Sequence, residues 1–310
     1  MFLAISPSPA LDRTLLVDEL VVGRVHRPIE VLELAGGKGL NVARAAHRLG
    51  ADVTALAVLG GHSGAVVREM LEAEGIRADV ISGDVPTRIC TTVVCQRTGV
   101  STDFYEATPL VPSATWATLT SRAEELLAAG LAWVTVSGSM PRNLGVDEVA
   151  HLVALAHKSG ARVALDTHGE ALRSALQQGP DVVKVNVHEA AELVAPGSRD
   201  PLLCARLLHE RRDRGWLTIV TAGKHGAFAV TNQHTWSVTP PRLGRFPIGS
   251  GDSFLAGLVV GMERGTSVPQ ALALASAAAA ANTQVPGAAI LDASLARSWA
   301  SNVVVDELAV

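Results

Sequence analysis

Gly249-Ser250-Gly251-Asp252 is the stretch of this sequence whose residue types most directly suggest chemistry. Two glycines and a serine precede an aspartate, and an apolar run from Phe254 to Met262 follows, long enough to open a helix. A glycine-rich turn feeding a helix aims several backbone N–H groups at one point near the positive end of the helix dipole, so it attracts anions. Asp252 then stands where an anion would be held, and two negative groups repel across a few ångströms. The pairing makes sense when the carboxylate takes a proton from an attacking hydroxyl while the N–H groups carry charge developing on a transferred phosphoryl group. The ordinary alternative is a glycine-punctuated turn with Asp252 as a helix N-cap, and a short glycine pattern alone does not separate the two.

A second junction of the same kind occurs at Ala35-Gly36-Gly37-Lys38-Gly39-Leu40-Asn41, where Val42, Ala45, Ala46 and Leu49 follow at helical spacing before Gly50. Lys38 falls at the start of that helix. A cation is disfavoured there, so its presence asks for an anion nearby.

Other chemistry-bearing residues follow short apolar runs that read as parallel strands: Asp12 after Phe2–Ile5, Ser137-Gly138-Ser139 after Val136, and Asp166-Thr167 after Leu165. Lys184 and Asn186 close Val182–Val185, and Thr221-Ala222-Gly223 follows Val220. In open α/β sheets such carboxyl ends share one rim and carry the site.

The elements that must position these groups are legible in the pattern. From Ser113 onward helical and strand signatures alternate, which means a parallel sheet covered by helices. Antiparallel strands are expected at Phe228–Val230 and Thr235–Val238, and helices at Pro201–Arg214, behind Asp252, over Val268–Ala281 and over Ala293–Ala300. Two β-rich, semi-polar stretches, about 13–34 and 86–106, stand apart and could meet as a small sheet. No linker, internal repeat or low-complexity run divides the chain, so residues 1–310 are expected to form one domain.

Composition excludes several classes. The chain has 310 residues, 48% hydrophobic and 18% charged, with 28 glycines, and its mean hydropathy is positive; this suits an α/β protein with apolar strands and argues against disorder. A net charge of −4 gives no global positive field for nucleic acid or an anionic membrane, so neither is expected as a partner. Cys90, Cys95 and Cys204 lack zinc-type spacing and read as reduced, buried small hydrophobes, consistent with a cytoplasmic location. Walker-type, H-E-x-x-H, paired C-x-x-C and G-x-S-x-G signatures are missing, and the ten histidines show no ligand spacing.

Taken together, Gly36-Gly37-Lys38-Gly39-Leu40-Asn41-Val42-Ala43 and Gly249-Ser250-Gly251-Asp252-Ser253-Phe254-Leu255-Ala256-Gly257 resemble the paired signatures of the ribokinase-like (PfkB) carbohydrate kinases. Between them Ser137-Gly138-Ser139-Met140-Pro141, Asp166-Thr167-His168-Gly169, Asn186-Val187-His188-Glu189 and Thr221-Ala222-Gly223-Lys224-His225-Gly226-Ala227 occur in the family's order. Pro9-Ala10-Leu11-Asp12, Lys38 and Thr87-Arg88-Ile89 resemble the 1-phosphofructokinase and tagatose-6-phosphate kinase branch.

The resemblance implies a three-layer fold, a mostly parallel sheet between helices, with a β-lid built from the two insertions. It also implies roles. Asp252 resembles the general base, and the amides of Gly249, Ser250 and Gly251 resemble the anion hole. Asp12, Gly36, Gly37, Lys38, Asn41, Arg88 and Ser139 match the sugar site. Lys184, Asn186, Thr221, Gly223, Gly226 and Asn282 match the nucleotide site. Asn186 and Glu189 match the N-x-x-E pattern that helps hold Mg²⁺, largely through water.

ATP is the implied co-substrate, with a monovalent cation as a further candidate and a homodimer through the lid as a candidate assembly. A phosphorylated acceptor would need cations, which Lys38 and Arg88 could supply with Arg27 from the lid; an unphosphorylated sugar would need partners such as Asp12 and Asn41. Fructose 1-phosphate leads as acceptor, with tagatose 6-phosphate and fructose 6-phosphate beside it. A kinase of a free sugar or nucleoside, and a non-catalytic sensor, are the alternatives. Ser101–Ala107 and Arg142-Asn143-Leu144 depart from the family pattern on the sugar-facing rim.

Overall fold

Runs in which every residue is apolar make strands buried on both faces. Phe2–Ser6, strand β1, shows this directly: Phe2 and Ala4 enter one core cluster while Leu3 and Ile5 enter the other, as a two-residue period demands. The computed structural model describes residues 1–212 and 215–309.

Strands β2 (Ala10–Val17) and β3 (Glu30–Gly36) lead into helix α1 (Lys38–Arg48), followed by β4 (Val53–Gly60), α2 (Gly61–Ala73), β5 (Arg77–Gly83), β6 (Arg88–Cys95) and β7 (Ser101–Tyr105). Alternation then becomes regular with α3 (Ser113–Leu127), β8 (Trp133–Ser137), α4 (Glu148–Lys158), β9 (Arg162–Asp166), α5 (Gly169–Leu176), β10 (Val182–Asn186), α6 (Val187–Val194), α7 (Pro201–Glu210) and β11 (Leu217–Thr221). The chain closes with β12 (Ala227–Val230), β13 (Thr235–Thr239), α8 (Ser250–Glu263), α9 (Val268–Asn282), α10 (Ala293–Ala300) and β14 (Val304–Leu308).

Ten strands form one sheet in the order β14-β13-β12-β11-β10-β9-β8-β1-β4-β5. Pairing is parallel from β11 to β5 and antiparallel from β11 to β14. Helices α1, α2, α8, α9 and α10 cover one face and α3 to α7 the other, each over its own apolar cluster. The order reverses at β1, which lies between β8 and β4, so a ligand crevice is expected outside the carboxyl ends beside it. The expected α/β architecture of a parallel sheet between helix layers is therefore present.

A second sheet of four strands, β3-β2-β6-β7, stands apart from the first. Its strands come from the two β-rich stretches, but the first begins earlier than expected, at Ala10 rather than residue 13. Asp12 accordingly lies within β2, directly opposite Cys90 of β6, and not at the end of β1. Three other boundaries differ. Strand β14 went unread because its exposed, half-apolar residues pair on one side only, with β13. Strand β5, Arg77–Gly83, is longer than its apolar pair Val80-Ile81 alone indicates. The helix expected at Pro201–Arg214 is described as far as Glu210, with residues 213 and 214 outside the described residues. Among the described residues no helix is long and apolar enough to cross a membrane.

Candidate active site

Helix α8 is buried continuously from Asp252 to Met262, because its apolar residues face α1, α9 and the sheet at once. Its N-terminus therefore cannot drift. Gly249 caps it with φ 76° and no side-chain cap, and a Cβ there would lie 2.4 Å from the Ala289 backbone nitrogen. Only glycine fits this left-handed, crowded position. The Ser250 N–H donates to Pro247 O at 3.1 Å. Of the expected anion-hole residues, Gly249 and Gly251, together with Asp252 itself, keep backbone N–H groups with no acceptor among the described residues, while Ser250 does not.

The Asp252 carboxylate, 6% exposed, accepts a hydrogen bond from Asn41 Nδ2 at 2.8 Å. Burial and then the charge of Asp166 raise its pKa to about 6, against the pull of Lys184, Lys38 and the Asn41 hydrogen bond. Asp12 faces it across a cleft of 680 Å³ that both line. Burial lifts Asp12 to about 6 as well, opposed by Arg44, the Gly37 N–H and Arg88. Gly36 makes room for this residue: a Cβ on it would fall 2.0 Å from Asp12 Cγ.

Lys38 does not point away from its helix unpartnered. Its Nζ donates to Asp166 Oδ1 at 2.9 Å and to Glu189 Oε1 at 3.2 Å, answering the demand for an anion that its place at a helix start makes. Burial works against this ammonium, but the carboxylates of Asp166, Glu189 and Asp252 outweigh it and hold its pKa above the ordinary range. Asp166, fully buried at the end of β9, also accepts from Lys184 Nζ at 2.5 Å. Burial alone would raise its pKa; Lys184 and Lys38 reverse this and bring it to about 2. Two ammonium groups and a permanently ionised carboxylate thus sit beside a carboxylate that titrates near neutrality, and separated acid strengths of this sort mark acid–base sites.

Residues 9–294 match the family model described as pfkB family carbohydrate kinase. The chain belongs to that family. It is therefore a sugar kinase. Among solved structures, a protein from Thermotoga maritima described as a possible 1-phosphofructokinase is 22% identical over 100% of both chains, with a TM-score of 0.90. Phosphofructokinase-2 from Escherichia coli, crystallised in complex with potassium, is 24% identical over 97% of this chain and 98% of its own, with a TM-score of 0.88. The same enzyme in complex with fructose-6-phosphate gives 23% over the same shares and a TM-score of 0.87. At these identities the likeness is one of fold.

In this pfkB kinase the cleft is lined by Asp12, Gly37, Lys38, Asn41, Arg88 and Ser139 of the expected sugar site and by Lys184, Asn186, Thr221, Gly223 and Gly226 of the expected nucleotide site. Arg88 is held by backbone acceptors, Ser8 O at 3.2 Å and Glu106 O at 3.4 Å. Asn282 is not in the cleft lining: fully buried, its Nδ2 donates to Ile248 O at 2.8 Å. It pins the loop that delivers Gly249, which corrects the expectation that it meets the nucleotide. The expectation came from the family resemblance, and a single helical turn separates a lining residue such as Ala279 from a buried one.

A pfkB kinase implies Mg²⁺. The donors here are all hard oxygens, as that ion prefers, but they are engaged: Asn186 Oδ1 accepts from the His188 and Glu189 N–H groups, and Glu189 Oε2 accepts from the Asn186 N–H at 2.9 Å, a reciprocal capping box. Among the described residues no three His, Cys, Asp or Glu side chains converge as a ligand set. Mg²⁺ commonly keeps several waters and takes ligands from substrate phosphates rather than from an all-protein cage.

Sequence reasoning missed Arg44, Cys90 and Tyr105. Cys90 and Tyr105 both line the cleft, opposite one another in the small sheet, and only strand register brings them beside Asp12. Arg44 had a signal: a lone arginine on an otherwise apolar helix face, three residues after Asn41.

Proposed function

We propose that this kinase transfers the γ-phosphoryl group of ATP to a hydroxyl of a ketohexose phosphate, fructose 1-phosphate first, with tagatose 6-phosphate and fructose 6-phosphate as close candidates. One observation carries the reading: a buried carboxylate of raised pKa, Asp252, stands in the first turn of a helix whose unpartnered amides open on the same cleft as Asp12. Asp252 takes the proton of the acceptor hydroxyl, and the Gly249 and Gly251 N–H groups carry charge on the migrating group. Asp12 and Asn41 orient the acceptor. Lys38 and Lys184 neutralise the phosphates. Asn186 and Glu189 would hold Mg²⁺ through its waters, and when bound the ion neutralises charge on the nucleotide phosphates. Thr221, Gly223 and Gly226 seat the nucleotide, and the four-stranded sheet acts as a lid over the acceptor. Its open edge strands invite pairing with a second copy of the chain, which sedimentation would read.

Arg88 supplies the cation for the acceptor's own phosphate. The engagement of Lys38 by Asp166 and Glu189 favours a second reading, a kinase of an unphosphorylated sugar, because it leaves one fewer free cation on the acceptor side. A panel of phosphorylated ketohexoses and free sugars with coupled ADP detection separates the two. ADP release with no phosphorylated ketohexose, but with a free sugar, overturns the first reading.

A further inference from the structure

Arg44 is the largest fully buried side chain among the described residues. An ion pair would account for part of its surroundings: Nε and Nη2 grip Glu74 at 2.6 and 2.8 Å in a bidentate fork. Every remaining contact falls on the active site. Nη2 donates to Ala35 O at 2.6 Å, immediately before Gly36 and its pocket for Asp12. Nη1 donates to Ala288 O at 3.4 Å, in the segment that backs Gly249. Nη1 also donates to Asn41 Oδ1 at 3.2 Å.

The last contact decides the orientation of an amide. A guanidinium donates and never accepts, so Asn41 must turn its oxygen toward Arg44 and its NH₂ toward Asp252. The flipped amide would set its NH₂ against the guanidinium and its oxygen against the carboxylate, repulsive on both sides. We propose that Arg44 is a positioning residue for phosphoryl transfer: through Asn41 it fixes the Asp252 carboxylate, and through Ala35 and Ala288 it holds the two glycine loops in register. This rests on the reading of Asp252 as general base.

The charged groups facing Asp252 are Lys38 on α1, Asp166 at the end of β9 and Lys184 on β10, with Asp12 of β2 across the cleft; Arg44 reaches it only through the neutral Asn41 amide, with its own charge matched by Glu74. Loss of the Asn41 donation favours the protonated acid, so the acid limb of the kcat/KM profile moves to higher pH.

The test measures kcat/KM against pH for Arg44→Lys, Asn41→Ala, the double variant and Asp252→Asn, with thermal melts of each. Arg44→Lys retains the positive charge near Asp12 but loses the fork. Its kcat is expected to fall about tenfold and its acid limb to rise by about one pH unit, the worth of one hydrogen bond to a charged group. The double variant is expected to lose less than the product of the two single losses, because part of the Arg44 effect passes through Asn41. Multiplying losses, or an unmoved acid limb in Arg44→Lys, overturn the proposal.

Should Arg44→Lys fail to fold, Glu74→Gln, at a partly exposed position, takes its place: a smaller shift of the acid limb in the same direction supports the role, and no shift overturns it. Near-normal turnover in Asp252→Asn overturns the base assignment and this role with it. An inactive Asp252→Asn beside an unmoved Arg44→Lys profile overturns the positioning role alone.

Discussion

Two glycine-rich loops start two helices that pack against each other, and they end in opposite charges. Both α1 and α8 are capped by a glycine with no side-chain hydrogen bond to the first turn. Helix α8 then places a carboxylate in that turn, which the dipole favours; α1 places Lys38 there, which the dipole opposes. The backbone device is shared, but the surroundings differ. Burial and the charge of Asp166 raise the pKa of Asp252, against the pull of Lys184, Lys38 and the Asn41 hydrogen bond. Lys38 reaches past its own helix start to Asp166 and Glu189. A glycine junction guarantees bare amides; the partners brought from other strands decide whether it hosts a base or a bridge.

The sharpest way to break this contrast is to remove the charge from the α8 junction. Asp252→Asn is expected to lower turnover by ~10² to 10⁴ and to raise thermal stability. The carboxyl pKa climbs from 3.8 to about 6 on folding, so ionisation at neutral pH opposes the fold by up to about 3 kcal/mol, and the amide escapes that cost. Steady-state assays beside a melt check both. Near-normal turnover, or a lower melting midpoint, contradicts the contrast.

Next comes the α8 backbone. Gly249→Ala forces a Cβ into a left-handed residue and against Ala289 N at 2.4 Å. The strain is worth ~1–3 kcal/mol, and the displaced amides are expected to lower kcat by ~10² to 10³, as loss of an anion-hole donor does in acyl-transfer enzymes. Chemical denaturation and kcat measure the two effects separately.

Why these two residues were legible in the sequence while Arg44 was not is a matter of range. The glycine loops declare themselves within ten residues, because a bare helix start is a local property, and alternating apolar runs declare the parallel sheet in the same way. Lys38 and Asp252 follow from position at helix starts, whereas Asp12, expected at the end of β1, reaches the cleft from within β2. Arg44 shows in the sequence only as a lone arginine among apolar helix residues; its meaning comes from Glu74, Ala35 and Ala288, separated from it by 30, 9 and 244 positions, and no local pattern encodes such a meeting. Asn282 fails for the same reason in reverse: its partners, Ile248 O and Phe246 O, lie in a loop whose path only the folded chain defines.

Neutralising the α1 junction is expected to do less. Lys38→Met removes a cation that the dipole disfavours, yet it leaves Glu189 without its ammonium partner and Asp166 with Lys184 alone. One charge-assisted contact is worth about 1.5–3 kcal/mol, or roughly ten- to a hundredfold in rate if it acts in the transition state. Its melting midpoint is expected to move less than that of Asp252→Asn. A loss as large as that of Asp252→Asn would mean that the two junctions are not different in kind.

The mildest probe is pH, and it separates function from stability by sign. As a base Asp252 works ionised, so kcat/KM is expected to fall about tenfold per unit below its pKa of about 6. Stability moves the other way. A carboxyl whose pKa is raised by folding binds more protons folded than unfolded between 3.8 and about 6, so its ionisation weakens the fold as pH rises through that window. Asp12 titrates alongside it, whereas Asp166, brought to about 2, stays ionised throughout. The difference in melting midpoint between Asp252→Asn and the parent chain isolates Asp252 from every other titrating group. It is expected to be widest at pH 7 and to close as the pH drops from 6 toward 4, over the same interval in which activity disappears. A gap that stays constant with pH, beside an acid limb near 4, would place the carboxylate in water-like surroundings and erase the contrast between the two junctions.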